Sequence, residues 1–194
     1  MTERPTSPES MLIDEVLPEY DATIVEFRLV EAAPEVAYAS VAGFDPKSVH
    51  SAALDGLFAL RDLAWRFARA AKNAETGDPD VWTKLGERPG RELVVGTAGR
   101  FWTPRVEWRS VTAEAFGRLN EPGIGRIAVG FAVRPYGTAR TLISYEARTS
   151  LPDERSRSAF LAYWLLVRGP AAVVMRTQLR TIARNVRTRA RHGD

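Results

Sequence analysis

The spacing of apolar residues predicts that the first half of the chain forms a strand followed by two helices. Residues 22–30 alternate between apolar and polar positions, which is the period of a strand with one buried face. Residues 36–41 and 48–72 instead repeat apolar positions every three or four residues, as amphipathic helices do. Pro34 suits the first turn of the shorter helix, because the N–H that proline lacks would have no partner there.

A period of two returns in the middle of the chain and predicts antiparallel strands. Residues 81–85 and 92–101 flank a turn signal at Pro89 and Gly90. Residues 127–133 alternate strictly, and a Pro-Tyr-Gly-Thr turn leads from them into a further apolar segment at 139–149. These segments predict a final hairpin that pairs with the earlier strands.

A single long helix is predicted over about residues 152–189, where Pro152 and the two acidic residues after it favour a helix start. Pro170 lies inside this helix, so we expect a kink there. A sheet with one apolar face needs a covering layer, and this helix can supply it. The pattern therefore predicts an α+β domain over residues 21–190, preceded by a partly disordered tail at 1–20 whose second half packs only loosely.

Composition limits the chemistry that this domain can perform. The 194 residues are 45% hydrophobic and 26% charged, which suits one globular domain with a substantial core. The absence of cysteine excludes disulfides, thiolate metal sites and thiol nucleophiles. Since the chain has only two histidines, we expect no histidine-rich metal site. The sequence has no phosphate-cradling glycine loop, and we expect no bound cofactor.

Charge is distributed unevenly along the chain, although the net charge is only +3. Residues 1–21 carry six acidic residues, whereas residues 176–194 carry six arginines. The net charge argues against a nucleic-acid partner. Five of the arginines form a stripe along the last helix, and they are Arg176, Arg180, Arg184, Arg187 and Arg191. The stripe predicts a solvated face or, alternatively, contact with an anionic membrane surface or with nucleic acid.

Nothing in the sequence indicates a targeting or membrane-spanning segment. The N-terminal residues lack a basic start followed by an apolar stretch. The longest uninterrupted apolar run, residues 160–167, is too short to cross a bilayer. The sequence therefore predicts a cytoplasmic protein.

The order of these elements, together with three local motifs, resembles the helix-grip fold of the SRPBCC superfamily, also called Bet v 1-like or START-like. The motifs are the helix start Pro-Glu-Val-Ala-Tyr at residues 34–38, the hairpin around residues 89–93, and the last hairpin at residues 138–148 before the long helix. A Gly-Arg-Phe-Trp stretch at residues 99–102 is similar to bacterial members of the superfamily. The resemblance covers about residues 20–190.

The resemblance implies a curved antiparallel sheet of six or seven strands around the long C-terminal helix, with two helices after the first strand. It also implies a hydrophobic cavity between helix and sheet that holds a lipid, a polyketide, a sterol-like or a similar molecule. No catalytic residue follows from it, because members of the superfamily use different ones or none.

The facing of the last strand depends on the length of the final hairpin loop. A loop of two or four residues places Glu146 and Arg148 on the same face as Val129 and Phe131, whereas three or five residues place them on the opposite face. Two-residue turns are the commonest, so we expect Glu146 and Arg148 to face the cavity and to orient a polar ligand group. The alternative is an exposed cross-strand ion pair.

Aromatic and aliphatic side chains complete the predicted binding set. Four large aromatic residues near the predicted cavity walls are positioned to stack on a ring-shaped ligand, although such residues also simply fill cores, and they are Trp102, Trp108, Tyr163 and Trp164. Val167 and Val174 lie on the apolar stripe of the last helix and are expected to line the cavity.

Three functions remain open from the sequence. The first is binding or transport of a hydrophobic small molecule without a firm catalytic role. The second is a polyketide cyclase or dehydratase-like enzyme, in which Glu146 acts as general base and Tyr163 or Arg148 stabilises an enolate. The third is an interaction module or homodimer that holds no ligand.

Overall fold

The computed structural model describes residues 10–44, 82–103 and 105–192. The helix predicted at residues 48–72 lies outside this part of the chain. The described helices are α1 (Leu12–Val16), α2 (Pro34–Ala42), α3 (Ala113–Arg118) and α4 (Glu154–His192). The described strands are β1 (Ala22–Val30), β2 (Thr83–Arg88), β3 (Glu92–Arg100), β4 (Glu107–Arg109), β5 (Gly125–Tyr136) and β6 (Arg140–Ser150).

The strands form one curved antiparallel sheet in the order β1-β6-β5-β3-β2, with β4 paired to β3. The long helix α4 covers one face of this sheet, which confirms the predicted α+β helix-grip fold. The opposite face carries α1 and α3.

Local sequence signals account for several of these elements. The β2–β3 turn is closed by the Arg91 N–H, which donates to the Arg88 carbonyl at 2.9 Å, and Gly90 supplies the positive φ of +76°. Pro34 occupies the first turn of α2, as predicted.

Two apolar clusters fix α4 at its ends. Near its start, Phe160 packs with Phe101, Trp102 and Leu151 in what we call the entry cluster. In its second half, α4 contributes to a larger cluster, here the main cluster, in which Leu179, Ile182, Ala183 and Val186 pack on β1, α2, β5 and β6. The helix continues through Pro170 without interruption.

Residues 11–20 are packed more firmly than the sequence predicts. Ile13 and Leu17 are only 2% and 1% exposed, and they pack against Val94 and Ala128 on the sheet face opposite α4. Gly130 permits this approach, because a Cβ at that position would lie 3.0 Å from the Ile13 Cδ1 atom. The two apolar residues lie one helical turn apart, so a five-residue helix is enough to bury both.

Buried charged side chains hold both ends of α1. Arg148 donates to the Leu17 carbonyl at 3.1 Å and forms ion pairs with Asp14 and Glu146, each at 2.6 Å. At the other end, the Glu92 carboxylate accepts the Leu12 N–H at 2.7 Å. These contacts satisfy backbone groups that a short helix leaves without intrahelical partners.

Replacing Arg148 with methionine is expected to destabilise the fold by about 3–5 kcal/mol, because Glu146 then stays buried without its cation. Urea unfolding measures this change. The double variant Glu146→Leu with Arg148→Met should be more stable than the single variant, since it leaves no unpaired buried charge. Arg109→Ala, which removes an exposed ion pair with Glu121, serves as control and should unfold close to wild type. If Arg148→Met is as stable as Arg109→Ala, Arg148 is not the essential counter-charge of buried Glu146.

The Asp14–Arg148 pair should make stability depend on pH in the acid range. Partial burial raises the pKa of Asp14, but the hydrogen bonds from Arg148 and the Met11 N–H outweigh it and hold the pKa below its ordinary value of 3.8. A depressed pKa adds stability above the unfolded-state value, and this stability is lost as the pH falls through the folded-state value. The difference in urea stability between wild type and Asp14→Asn should therefore be largest near neutrality and shrink as the pH falls below 3.8. A difference in stability between the two proteins that does not change with pH would contradict this.

Candidate functional site

A groove of about 310 Å³ opens between the middle of α4 and the sheet, in the interval between the entry cluster and the main cluster. Since α4 is held on both sides of this interval, the groove is part of the folded architecture and does not require the helix to move. The groove lies between the long helix and the sheet.

The helix wall of the groove is an apolar stripe at helical spacing. Its members recur every three or four residues along one side of α4 and are Phe160, Tyr163, Trp164, Val167, Ala171, Val174 and Met175. The predicted binding residues Tyr163, Val167 and Val174 therefore do line the groove.

The sheet wall comes from the first, fifth and sixth strands, and an aromatic end wall comes from β4 and the residues around it. The sheet residues are Ile24, Ile127, Tyr145, Ala147 and Thr149. The end wall is formed by Phe101, Val106 and Trp108. The rings of Phe101 and Trp108 are stacked, with centroids 5.8 Å apart and planes inclined by 19°.

The chemistry of the groove is apolar and neutral. None of the described lining residues is Asp, Glu, His, Lys or Arg. The polar atoms of these side chains are hydroxyl groups and indole N–H groups. In the described part of the chain, no group of three acidic, histidine or cysteine side chains could hold a metal ion.

Tyr145 is a neutral phenol. Its hydroxyl donates to the Gln178 Oε1 atom at 2.9 Å, and its ring stacks on Phe131 with centroids 4.2 Å apart. Burial raises the pKa of Tyr145 well above its ordinary value of 10.0. The side chain therefore stays protonated at neutral pH, and its hydrogen bond to Gln178 connects the sheet to α4.

The prediction that Glu146 and Arg148 face the cavity is wrong. The strands pair Tyr136 with Arg140, so the hairpin loop has three residues and not two or four. Tyr145, not Glu146, is consequently opposite Phe131 and shares its face. Glu146 and Arg148 point to the other side of the sheet, where they hold α1 as described above.

A signal for the observed register was present in the sequence. The face that carries Ile143, Tyr145 and Ala147 is more apolar than the face that carries Glu146 and Arg148. Burial of the apolar face under α4 outweighs the statistical preference for a two-residue loop. Tyr145 and Thr149 were absent from the predicted binding set for this reason.

Three other predicted binding residues lie near the groove but do not line it. Val129 and Phe131 are on the same face of the sheet, and Phe131 packs at the main cluster against Tyr145. Trp102 is buried in the entry cluster, where Gly125 makes room for its ring, because a Cβ there would lie 2.9 Å from the Trp102 Cζ3 atom. Trp102 therefore fills the core and does not line the groove, which was the alternative to stacking on a ligand.

Comparison with known proteins yields similarities of structure only. No protein-family model matches the chain, and no curated protein matches its sequence. A conserved protein from Geobacillus kaustophilus is 10% identical, with a TM-score of 0.44, over 87% of this chain and 97% of that chain. A protein from Thermus thermophilus is 12% identical, with a TM-score of 0.32, over 86% and 98% of the two chains. The Zhui aromatase/cyclase from a Streptomyces species is 8% identical, with a TM-score of 0.32, over 87% and 94%.

Such identities leave every side chain of a binding site free to differ. The chemistry of this groove therefore follows from the residues of this chain alone.

The helix α4 is long and apolar enough, by length and composition, to cross a membrane. Counting only uninterrupted apolar runs misses this property, because Arg168 divides the stretch. The second half of the helix, however, carries Leu179, Ile182 and Val186 into the main cluster. Its role in the structure is that of the covering helix of the sheet.

Tyr145→Phe is expected to destabilise the protein by about 1–3 kcal/mol, because the Gln178 amide oxygen loses its donor in a buried position. Urea unfolding tests this, with Tyr136→Phe as the matched control. Tyr136 is exposed, so its variant should unfold like wild type. Equal stability of the two variants would show that the Tyr145–Gln178 hydrogen bond does not brace the groove.

Proposed function

We propose that this protein binds a hydrophobic small molecule in the groove between α4 and the sheet. The observation that carries the proposal is the apolar, neutral lining of a groove whose two flanks are fixed by core packing. A site of this kind favours an apolar ligand by releasing water from both surfaces.

The energy available from such a site is appreciable. Roughly 100 Å² of apolar ligand surface removed from water contributes about 2.5 kcal/mol. Stacking on the aromatic side chains at the entry cluster adds to this and favours flat rings. The superfamily that the sequence resembles favours lipids, polyketides and sterol-like molecules as the ligand classes.

A cyclase that uses Glu146 as its general base does not fit the site. Glu146 is on the opposite side of the sheet, paired with Arg148, and cannot reach a molecule in the groove. Tyr163, the third residue of that hypothesis, does line the groove, but the described lining residues include no carboxylate, histidine or lysine to act as a general base. Binding without this chemistry is the function that the geometry supports best.

The partners suggested by charge remain predictions. All five arginines of the basic stripe are exposed, and Arg176 pairs with Glu26 at 2.8 Å. Their exposure suits a solvated face and leaves the stripe accessible to an anionic membrane surface.

Ala171→Trp tests the proposal by filling the groove from its helix wall. An indole added at this position should weaken the binding of Nile red, an apolar fluorophore, by at least about tenfold. Fluorescence titration gives the dissociation constant. Ala162→Trp is the matched control, because Ala162 is exposed on α4 and does not line the groove.

Binding that is lost in the first variant and kept in the second locates the ligand in the groove. Wild-type protein that binds neither Nile red nor any other apolar probe would contradict the proposal. Equal binding by wild type and Ala171→Trp would place the probe elsewhere.

A further inference from the structure

The side of α4 that points away from the sheet is apolar through the first half of the helix. Large apolar side chains are exposed there, with Leu161 at 39%, Leu165 at 66%, Leu166 at 62% and Val173 at 45%. Gly169 lies among them, and a Cβ at that position would be in open space. We call these five residues the outer face. Contiguous exposed apolar surfaces of this kind mark interaction sites in folded proteins.

The outer face is opposite the groove on the same stretch of helix. Successive residues of a helix are rotated by about 100°, so Leu165 and Gly169 lie about half a turn around α4 from Val167 and Ala171. Val167 and Ala171 line the groove, whereas no outer-face residue is among its described lining residues. This stretch of α4 is therefore apolar on both sides, and the sheet covers only one of them.

The outward side of α4 becomes basic directly after Val173. The basic stripe begins three residues later at Arg176 and continues to Arg191, with every one of its arginines exposed. Within the described part of the chain, Arg176 is the only member of the stripe with an ion-pair partner. The single acidic residue of α4, Glu154, is at the other end of the helix and pairs with Arg157. The outer face and the basic stripe thus form one surface, apolar at one end and cationic at the other.

The charge of this surface indicates which kind of partner covers it. A second copy of the chain would bring two arginine-rich helices together with almost no acidic side chains between them, and contact between like charges opposes association. An anionic lipid surface instead matches both parts of the surface, because acyl chains accept apolar side chains and lipid phosphates attract arginines.

We propose that the protein docks on anionic phospholipid membranes through this surface of α4. Leu165, Leu166 and Val173 enter the boundary between head groups and acyl chains, and the basic stripe contacts the head groups. The helix lies in the plane of the interface and does not cross the bilayer, since Leu179 and the residues after it are held in the main cluster. The outer face is also only about 18 Å long, which is shorter than the roughly 30 Å hydrocarbon core. This inference does not depend on what the groove binds.

Co-sedimentation of the full chain with lipid vesicles tests the docking. The protein should bind vesicles of mixed phosphatidylcholine and phosphatidylglycerol at least about tenfold more tightly than vesicles of phosphatidylcholine alone, and added salt should weaken this binding. Leu165→Ser combined with Leu166→Ser should weaken binding to the mixed vesicles at least about tenfold, because it removes the apolar side chains that enter the membrane.

Phe27→Ser is the matched control for the leucine variant. Phe27 is 60% exposed on β1, outside α4, so its replacement should leave vesicle binding unchanged. Since all three side chains are exposed, the urea midpoints of both variants should match wild type. Nile red binding in the groove should also be the same in the leucine variant and wild type, so that this proposal and the proposed function fail separately.

Arg180→Gln combined with Arg184→Gln tests the cationic part of the surface. This variant should bind the mixed vesicles about tenfold more weakly or worse, while its binding to pure phosphatidylcholine vesicles stays at the wild-type level. Arg105→Gln combined with Arg118→Gln is the control, because it removes the same charge from exposed positions outside α4. The control should retain most of the wild-type binding to mixed vesicles.

Three results would overturn the proposal. The first is wild-type protein that binds neither kind of vesicle, or that binds mixed vesicles no better than the leucine variant does. The second is a dimer in sedimentation equilibrium that the leucine variant converts to a monomer, which would assign the outer face to a second copy. The third is binding of duplex DNA without binding of vesicles, lost in Arg180→Gln with Arg184→Gln, which would assign the basic stripe to nucleic acid.

Discussion

The architecture depends on how α4 is held against the sheet. Phe160 anchors its first turns in the entry cluster, and the residues from Leu179 onwards anchor its second half in the main cluster. Burial of apolar surface at two separated places fixes the helix without requiring close packing between them. The groove is the consequence, since Val167, Ala171 and Val174 face the sheet across an interval that neither cluster fills.

The opposite face of the sheet is organised by charge. Glu92, Arg148 and Glu146 are buried there. Glu92 and Arg148 bind α1 directly, and Glu146 forms an ion pair with Arg148. The two faces of β6 therefore have different roles. Side chains on one face line the groove, and the ionic side chains on the other face bind the N-terminal helix α1.

The sequence predicted the elements well and the site only in part. Hydrophobic periods located the last hairpin and α4, because those segments each bury one face against the core. The same period located β1, but its alternating apolar residues Val25, Phe27 and Leu29 are exposed, and only Ala22 and Val30 at its ends are buried. The facing of Glu146 could not be settled in the same way, since a one-residue change in the loop after Tyr136 reverses every side chain of β6. Trp108 was recognised as a residue near the cavity wall, but its place in the end wall depends on the approach of β4 to Gly99, which only the structure shows. Contacts between distant strands of this kind leave no local pattern.

Native mass spectrometry of the purified protein, combined with extraction into organic solvent, tests the central claim most directly. The account predicts a stoichiometric complex with one apolar molecule, either retained from the host or formed on addition of an apolar probe such as Nile red. A protein that shows only the mass of its own chain under both conditions, while remaining folded, would contradict it.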